Sequence, residues 1–357
     1  MEEDRWLLTI GLAYNLKRNN RTSGVREDYY AEFDDQSTVD AIASVLSKIG
    51  EVVRVEADED AYNTFRQAKP DIVFNIAEGL RGESRESYVP ALLEMLDIPY
   101  TGSGPLTLAI ALNKAVTHTL LSGGGVRTPK HHVFTTLDDL VRPDLKFPLV
   151  VKPLHEGSSK GIWNNALAYS ENELKERVAH LIETYEQPAL VEEYVGGREF
   201  TIALLGNNPP NVLPIVEVRL DMLPPQASKL YSYEAKWIWD TCEHPLEIFE
   251  CPALIPDGIC EELKHIALQT FKILGCRDMC RIDVRLDDEG RCYVLDVNPL
   301  PGMIPDPRAH SCLPEAARAA GLTYDELITS ILFYALDRYK MRNLAPEIRA
   351  RSSITME

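Results

Sequence analysis

The sequence predicts an α/β protein: a parallel sheet with flanking helices in the first third, then two α+β units. Three observations predict it. Short apolar, β-branched runs alternate with helical patterns before residue 100. A sharp PYTGSGP turn at 99–105 then breaks the chain, and the remainder mixes short strands, glycine turns and long helices.

The runs at 7–13 (LLTIGLA), 51–57 (EVVRVEA) and 71–77 (DIVFNIA) read as strands, with helices over 38–49 and 86–96. That βαβ order places ligands at the carboxyl ends of the strands. After the turn, 106–121 reads as a helix stopped by Gly123, Gly124 and Gly125. FPLVVKP (147–153) is a buried strand running into the polar, glycine-containing turn 155–161. Ser170 opens a helix with a capping box to Glu173, and Leu174, Val178, Leu181 and Tyr185 form its apolar stripe. ALVEEYV (189–195) and EFTIALL (199–205) read as a hairpin across Gly196 and Gly197. The aromatic, proline-containing and aperiodic stretch 221–256 reads as an active-site lid. Helices follow at 257–274, 314–320 and 324–340, and the tail after Asn343 reads as loose.

At 357 residues the chain exceeds one small core and calls for two or three packed subdomains. Its formal net charge of −18 repels phosphate backbones and anionic lipid, which argues against nucleic-acid and membrane partners. No apolar run reaches the length of a membrane span, and the start lacks a basic region and cleavage site. Seven cysteines, scattered from Cys242 to Cys312 without a CxxC pair, suggest neither a zinc knuckle nor a disulfide framework. Reduced thiols in the cytoplasm are the plain reading.

Chemistry concentrates in a hairpin. CRIDVRL (280–286) and CYVLDVN (292–298) flank the turn 287–290. Arg281 and Asp283 share one face, with Ile282 and Val284 opposed; Asp296 and Asn298 share a face, with Leu295 and Val297 opposed. Pairing that sets Asp283 opposite Asp296 also sets Arg281 opposite Asn298. Two opposed carboxylates repel, and a cation between them reverses the sign. Few ligands, all oxygen, suit Mg²⁺. The same pattern also describes the solvated face of an ordinary hairpin, and spacing alone leaves both readings open. The strand break at Pro299 and Pro301 sets Asn298 at a rigid end and favours the metal.

Lys152 precedes the small-residue loop 156–161, whose backbone N–H groups can cradle phosphate or form a common polar turn. Lys114 alone reads as solvated, and Glu192 and Glu199 as rim charges or acceptors for a nucleotide.

Taken in order, IPYTGSGPLTLAIALNK (98–114), FPLVVKPLHEGSSKG (147–161), ALVEEYVGGREFT (189–201), YSYEAKW (231–237), RIDV (281–284) and LDVNPLPGM (295–303) resemble the ATP-grasp superfamily. Within it they resemble the D-alanine–D-alanine ligase family. The resemblance implies a substrate domain over 1–104, a central subdomain over 105–192, a C-terminal subdomain over 193–343 with the lid 221–256 and metal site, and a tail over 344–357. The two later subdomains would clamp ATP, with two Mg²⁺ ions that Mn²⁺ can replace.

By motif, Lys114 and Lys152 resemble the two phosphate lysines, and Ser158 the loop serine that helps lock the lid. Glu192, Tyr194 and Val195 fall on the adenine hinge, Glu199 on the ribose glutamate and Lys236 on the lid lysine near the γ-phosphate. Asp283, Asp296 and Asn298 match the metal ligands, with Asp296 where glutamate is more usual. Arg281 matches the arginine supporting the tetrahedral intermediate, and Ser311 the residue holding the acceptor's carboxylate. The implied reaction is an ADP-forming ligation through an acyl phosphate.

The departures cluster at the substrate end. The segment 13–36 is longer than usual and lacks a glycine pair; Glu32, Asp34 or Asp35 could take the donor's ammonium, or simply form a solvated loop and helix cap. The next family loop reads 78–85 and is about two residues longer. There Glu78 replaces a histidine as a substrate-binding candidate, and Glu83 takes the place of the loop glutamate as a catalytic one. Trp237 stands where a tyrosine is usual, and the longer segment 304–310 adds Arg308 as a second carboxylate anchor. Expected partners are amino-acid or peptide substrates, with a homodimer possible by family habit. The rivals are a ligase joining other substrates and a nucleotide-binding regulator without catalysis. Against the second, a pure binder has little need of Arg281.

Overall fold

The computed structural model describes residues 8–18, 26–136, 139, 144–241, 243–309 and 311–344. Residue 7 of the first expected strand, residues 19–25 of the long first loop, Cys242, His310 and the tail beyond Leu344 lie outside them.

Strands β1 (Thr9–Tyr14), β2 (Glu51–Glu56) and β3 (Ile72–Asn75) form a parallel sheet in the order β2-β1-β3. Helix α1 (Gln36–Leu46) joins the first two and α2 (Ala61–Ala68) the next. Helix α2 escapes the sequence pattern because only Ala61 and Phe65 of it are buried, a single i,i+4 pair. Residues 85–87 make a tight helical turn that runs straight into α3 (Tyr88–Met95). One sheet face packs Leu12 with Ile42 and Leu46 of α1, and the other packs Val73 with Phe65 and Leu93.

The helix expected over 106–121 divides into α4 (Pro105–Leu112) and α5 (Lys114–Gly123). Asn113 leaves helical backbone angles, and its side chain accepts from the Val116 N–H as the cap of α5. Lys114 thereby becomes the first residue of a helix.

Strands β4 (His131–Phe134), β5 (Leu149–Pro153), β6 (Leu167–Ala168) and β7 (Ala189–Glu193) form an antiparallel sheet in the order β4-β7-β5-β6. Helix α6 (Glu171–Tyr185) lies on it through Leu174, Val178, Leu181 and Tyr185, the stripe expected from the sequence. Ser170 caps the Glu173 N–H, but the Glu173 carboxylate accepts from the Tyr169 N–H, one residue before the box position.

The third sheet takes β8 (Glu199–Leu205), β9 (Asn211–Val212), β10 (Val216–Val218), β11 (Phe249–Glu250), β12 (Met279–Leu286) and β13 (Cys292–Asn298), in the order β11-β10-β8-β12-β13 with β9 also on β8. Helix α7 (Asp257–Leu274) packs on one face, and α8 (Cys312–Ala319) and α9 (Tyr324–Arg338) join the cluster that includes Ala203 and Met279.

The expected hairpin of 189–195 with 199–205 does not form. Both edges of β8 are taken by β10 and β12, so residues 194–198 cross from one sheet to the other. Tyr194 N–H donates to the Pro148 carbonyl at 3.1 Å and Gly197 N–H to the Leu286 carbonyl at 3.0 Å. A Cβ on Gly197 would stand 2.3 Å from that Leu286 oxygen, so the crossing requires glycine there.

The lid stretch has a small apolar cluster of its own, Leu220, Leu223, Ala235 and Ile248 around Val218, and a single π-helical turn at Ala235–Trp239. Among the described residues no helix is long and apolar enough to cross a membrane.

Candidate active site

The second and third sheets face each other across a cleft closed by the lid and by the segment 31–34. The 280–298 hairpin forms its floor with the expected register: Asp283 opposes Asp296, and Arg281 opposes Asn298. The side assignment fails at one residue. A β-bulge after Asp283 shifts the alternation, and Leu295 lines the cleft beside Asp296 instead of facing away.

Each carboxylate already holds a protein cation. Asp283 Oδ2 lies 3.1 Å from Arg281 Nη2, and Asp283 Oδ1 accepts from the Thr201 hydroxyl at 2.8 Å. Asp296 Oδ1 lies 3.1 Å from Lys114 Nζ, which the first turn of α5 aims inward. Burial alone would raise the Asp296 carboxyl, yet Lys114 and Lys152 hold it below its ordinary value. Asn298 Nδ2 reaches Asp283 Oδ2 at 3.5 Å. Among the described residues no three His, Cys, Asp or Glu side chains converge. The protein therefore offers a bare pair of carboxylates with an amide oxygen, which fits a hard cation that keeps phosphate and water as its other ligands. The buried Arg281 Nε has no hydrogen-bond partner among the described residues, which suits an incoming anion.

On the opposite wall, Lys152 leaves β5 with its Nζ 2.8 Å from Glu192 Oε2. The other Glu192 oxygen is buried without a hydrogen-bond partner, with His118 Nδ1 3.3 Å away. Burial lowers His118 to about 4, so it stays neutral, and its Nε2 faces the Leu295 carbonyl at 3.2 Å. An orphaned acceptor at the cleft wall suits an incoming amine donor such as an adenine amino group.

The crossing segment supplies Tyr194 and Val195 beside it, and Glu199 begins β8 with its Oε2 2.8 Å from Arg285 Nε. The loop 157–161 turns through left-handed backbone at Ser158 and Ser159, with φ of 51° and 59°, a conformation that non-glycine residues adopt at a cost. Trp237 Nε1 donates to the Ser158 carbonyl at 3.0 Å and lies near Lys17 and Lys236, latching the lid to that loop. Burial and the Arg281 charge lower Lys236 to about 8.

At the substrate end, Glu32 is locked. Arg85 Nη2 donates to both its oxygens at 2.7 and 2.8 Å, the Gly157 N–H donates at 2.6 Å, and Lys160 lies 3.7 Å away. Arg85 and Lys160 also hold Glu156. Among the described residues none donates to the Asp34 side chain, which lines the cleft, and burial with Asp35 beside it pushes its carboxyl up to about 7. Glu78, at the end of β3, is raised well above the carboxylate range by burial and by Glu86.

Of the expected residues, Asn298, Glu78, Glu83 and Arg308 do not line the cleft, and the last two point elsewhere. Glu83 is 79% exposed, with only His155 Nε2 at 4.0 Å. The longer loop shifts its register, and the helical turn 85–87 carries Arg85 and Glu86 inward instead. Arg308 is 65% exposed and engaged by Asp306, so it anchors its own turn while Ala309 and Ser311 line the cleft. Ser311 donates to the Gly302 carbonyl and accepts from the Ile304 N–H, bracing the loop that precedes α8. The sequence reading gave no role to Thr201, His118, Arg285 and Cys312; Thr201 and Arg285 lie within segments it singled out, and only the pairing of β8 with β12 shows what they face.

The pattern of the D-ala D-ala ligase C-terminus family matches residues 125–333. An uncharacterised protein of Sinorhizobium fredii, y4sG, is 37% identical over 309 residues, spanning 84% of this chain and 88% of that one. The D-alanine–D-alanine ligase of Carboxydothermus hydrogenoformans is 34% identical over 314 residues, spanning 84% and 93%. Among solved structures, the D-alanine–D-alanine ligase of Bacillus anthracis complexed with ATP superposes with a TM-score of 0.69 at 25% identity, over 93% of this chain and 99% of that one.

Proposed function

Since the chain belongs to the D-alanine–D-alanine ligase family and is an ATP-dependent, ADP-forming ligase of that kind, we propose that it joins the carboxylate of one amino acid or peptide to the amine of another. The observation that carries this reading is the convergence of Lys114, Lys152, Lys236 and Arg281 on the opposed pair Asp283 and Asp296 in one closed cleft. A regulator that only held a nucleotide would have little need of Arg281 beside the lysines already placed for the phosphates.

Each residue then has a task. Glu192 accepts from the adenine amine, Tyr194 and Val195 form the hinge beside it, and Glu199 accepts from the ribose. Lys114 and Lys152 hold the phosphates, exchanging their present carboxylate partners for them. Asp283, Asp296 and Asn298 would hold Mg²⁺, which neutralises phosphate charge. The γ-phosphoryl passes to the donor carboxylate with ADP leaving, and the acceptor amine displaces phosphate from the acyl carbon. Lys236 and Arg281 stabilise the negative charge that develops in both steps. Ser311 faces the acceptor, and the Ser158–Trp237 latch keeps water off the acyl phosphate.

For the donor, Glu32 is already neutralised by Arg85, so Asp34 on the cleft wall is the carboxylate left to take an ammonium, with Glu78 close enough to feel its charge. That arrangement is consistent with amino-acid donors other than D-alanine. The units 1–104, 105–192 and 193–343 act as substrate domain and the two jaws. An ATP-using enzyme of this composition suits the cytoplasm; a homodimer rests on family habit alone. Phosphate release across D- and L-amino acids and short peptides tests the reading: turnover should require an amino acid and yield an amide. ATP binding without amino-acid-dependent turnover would make the chain a nucleotide binder instead.

A further inference from the structure

Arg285 lies just past the RIDV segment on β12, and its side chain is 2% exposed. Its guanidinium serves three elements at once. Nε donates to Glu199 Oε2 on β8 at 2.8 Å, Nη1 to the Val195 carbonyl of the crossing segment at 2.8 Å, and Nη2 to the Lys229 carbonyl of the lid at 2.6 Å. The Tyr194 ring lies 5.1 Å from its centre, and the Tyr194 hydroxyl donates to the same Lys229 carbonyl at 2.9 Å.

A counter-ion for Glu199 needs one contact, and a lysine could make it. The planar fork of an arginine is required only if the two carbonyls matter as well, because it fixes the directions of its donors relative to one another. Those carbonyls belong to the nucleotide hinge and the lid. Lys229 lies near Leu230 and Tyr231, which line the cleft, and it precedes Lys236 on the same lid segment.

We infer that Arg285 is a positioning residue that couples the nucleotide seat to lid closure. It aims the Glu199 carboxylate and the Val195 carbonyl at the seat while tying the lid strand that leads to Lys236. A nucleotide that orders the hinge thereby favours the closed lid, and a closed lid tightens the seat. The inference rests on the reading of Glu199 and Val195 as the ATP seat.

The variants R285K, R285M and Y194F test it, with ATP affinity read by calorimetry and turnover read as phosphate released per amide formed. R285M should weaken ATP binding by about 10- to 100-fold, the loss expected for hydrogen bonds to a charged group. Its kcat at saturating ATP should fall less than its KM rises. Excess phosphate should appear, because a loosened lid admits water to the acyl phosphate. R285K keeps the charge but not the fork, and should show the excess phosphate with a smaller loss of affinity. It also carries the test if R285M fails to fold. Y194F removes one lid bond and should raise the phosphate-to-amide ratio more than it alters ATP affinity. A fall in Tm with wild-type affinity and a wild-type ratio would make Arg285 merely structural and overturn the inference, leaving the ligase reading intact. A wild-type chain that does not bind ATP would overturn both.

Discussion

Asp283 and Asp296 sit directly opposite each other, each balanced by one protein cation that ATP phosphates would draw away. Asp296→Ala therefore leaves the strand pairing intact but removes half of the cation seat. Mg²⁺-dependent phosphate release should fall by at least about 100-fold with the circular dichroism spectrum unchanged; retained turnover would refute the metal role. Lys236 supplies a pH signature. Burial first, then Arg281, lowers its value to about 8, so it is charged below that pH and loses its charge above it. The kcat/KM for ATP should fall about tenfold per unit above pH 8. Lys236→Arg keeps its charge and should abolish that limb; a limb that persists in the variant excludes Lys236 as its source. Side chains in short ordered motifs, such as Lys152 and Asp283, fall in the cleft that the sequence pattern led one to expect. Arg85 and Arg285 were not legible in the sequence, since they are defined by partners 53 and 86 residues distant, nor was Glu86, whose charged neighbours include Glu32, Lys114 and Asp296. Glu83 and Arg308 misled for the converse reason: a fitting motif position in a loop of altered length says nothing about which way the side chain turns.

The β12–β13 hairpin and its Asp283–Asp296 and Arg281–Asn298 pairs were read correctly, since a tight turn and period-two alternation are local, but those pairs depend on a register shift after Asp283. Its bulge was not, for an extra residue is set by the partner strand. The same limit explains the hairpin that never formed across Gly196 and Gly197. Two strands and a glycine turn predict pairing only when no better partner exists, and β12 takes β8 over seven residues. What the glycines do instead is testable. Gly197→Ala places a methyl 2.3 Å from the Leu286 carbonyl, whereas a Cβ on Gly196 meets only the Tyr194 ring at 3.6 Å. The first substitution should cost on the order of 2 kcal/mol, read by chemical denaturation, and weaken ATP binding by displacing Tyr194 and Val195. The second should be nearly neutral. Equal behaviour of the two variants would show that the crossing path is not held as described.

At the scale of the whole molecule, the first sheet is tied to the third by a buried clasp, separate from the Glu32–Arg85 link to the 156–161 loop. Asp278, fully buried just before β12, accepts from the Gly102 N–H at 2.8 Å, from Asn207 Nδ2 at 3.0 Å and from Arg338 Nη2 at 2.7 Å. Arg338, on α9, also donates to the Tyr100 carbonyl at 2.9 Å. The first sheet, the third sheet and the last long helix thus meet at a single carboxylate. Replacing it with the isosteric amide leaves Arg338 partly buried without its counter-charge, and breaking such a pair costs more than the pair itself contributes. The backbone at Asp278 is left-handed, with φ of 62°, which asparagine tolerates, so the variant isolates the charge. Asp278→Asn should lower stability by about 3 kcal/mol. The loss should not be uniform: amides of β1 and β3 should gain hydrogen exchange ahead of those in β12 and β13, because the first sheet loses its tether. ATP affinity should change little, while the KM for the donor should rise as Asp34 drifts from the cleft. Uniform exchange with an unchanged donor KM would mean that the first sheet is held by its apolar contacts alone, and that the clasp does not position the substrate end.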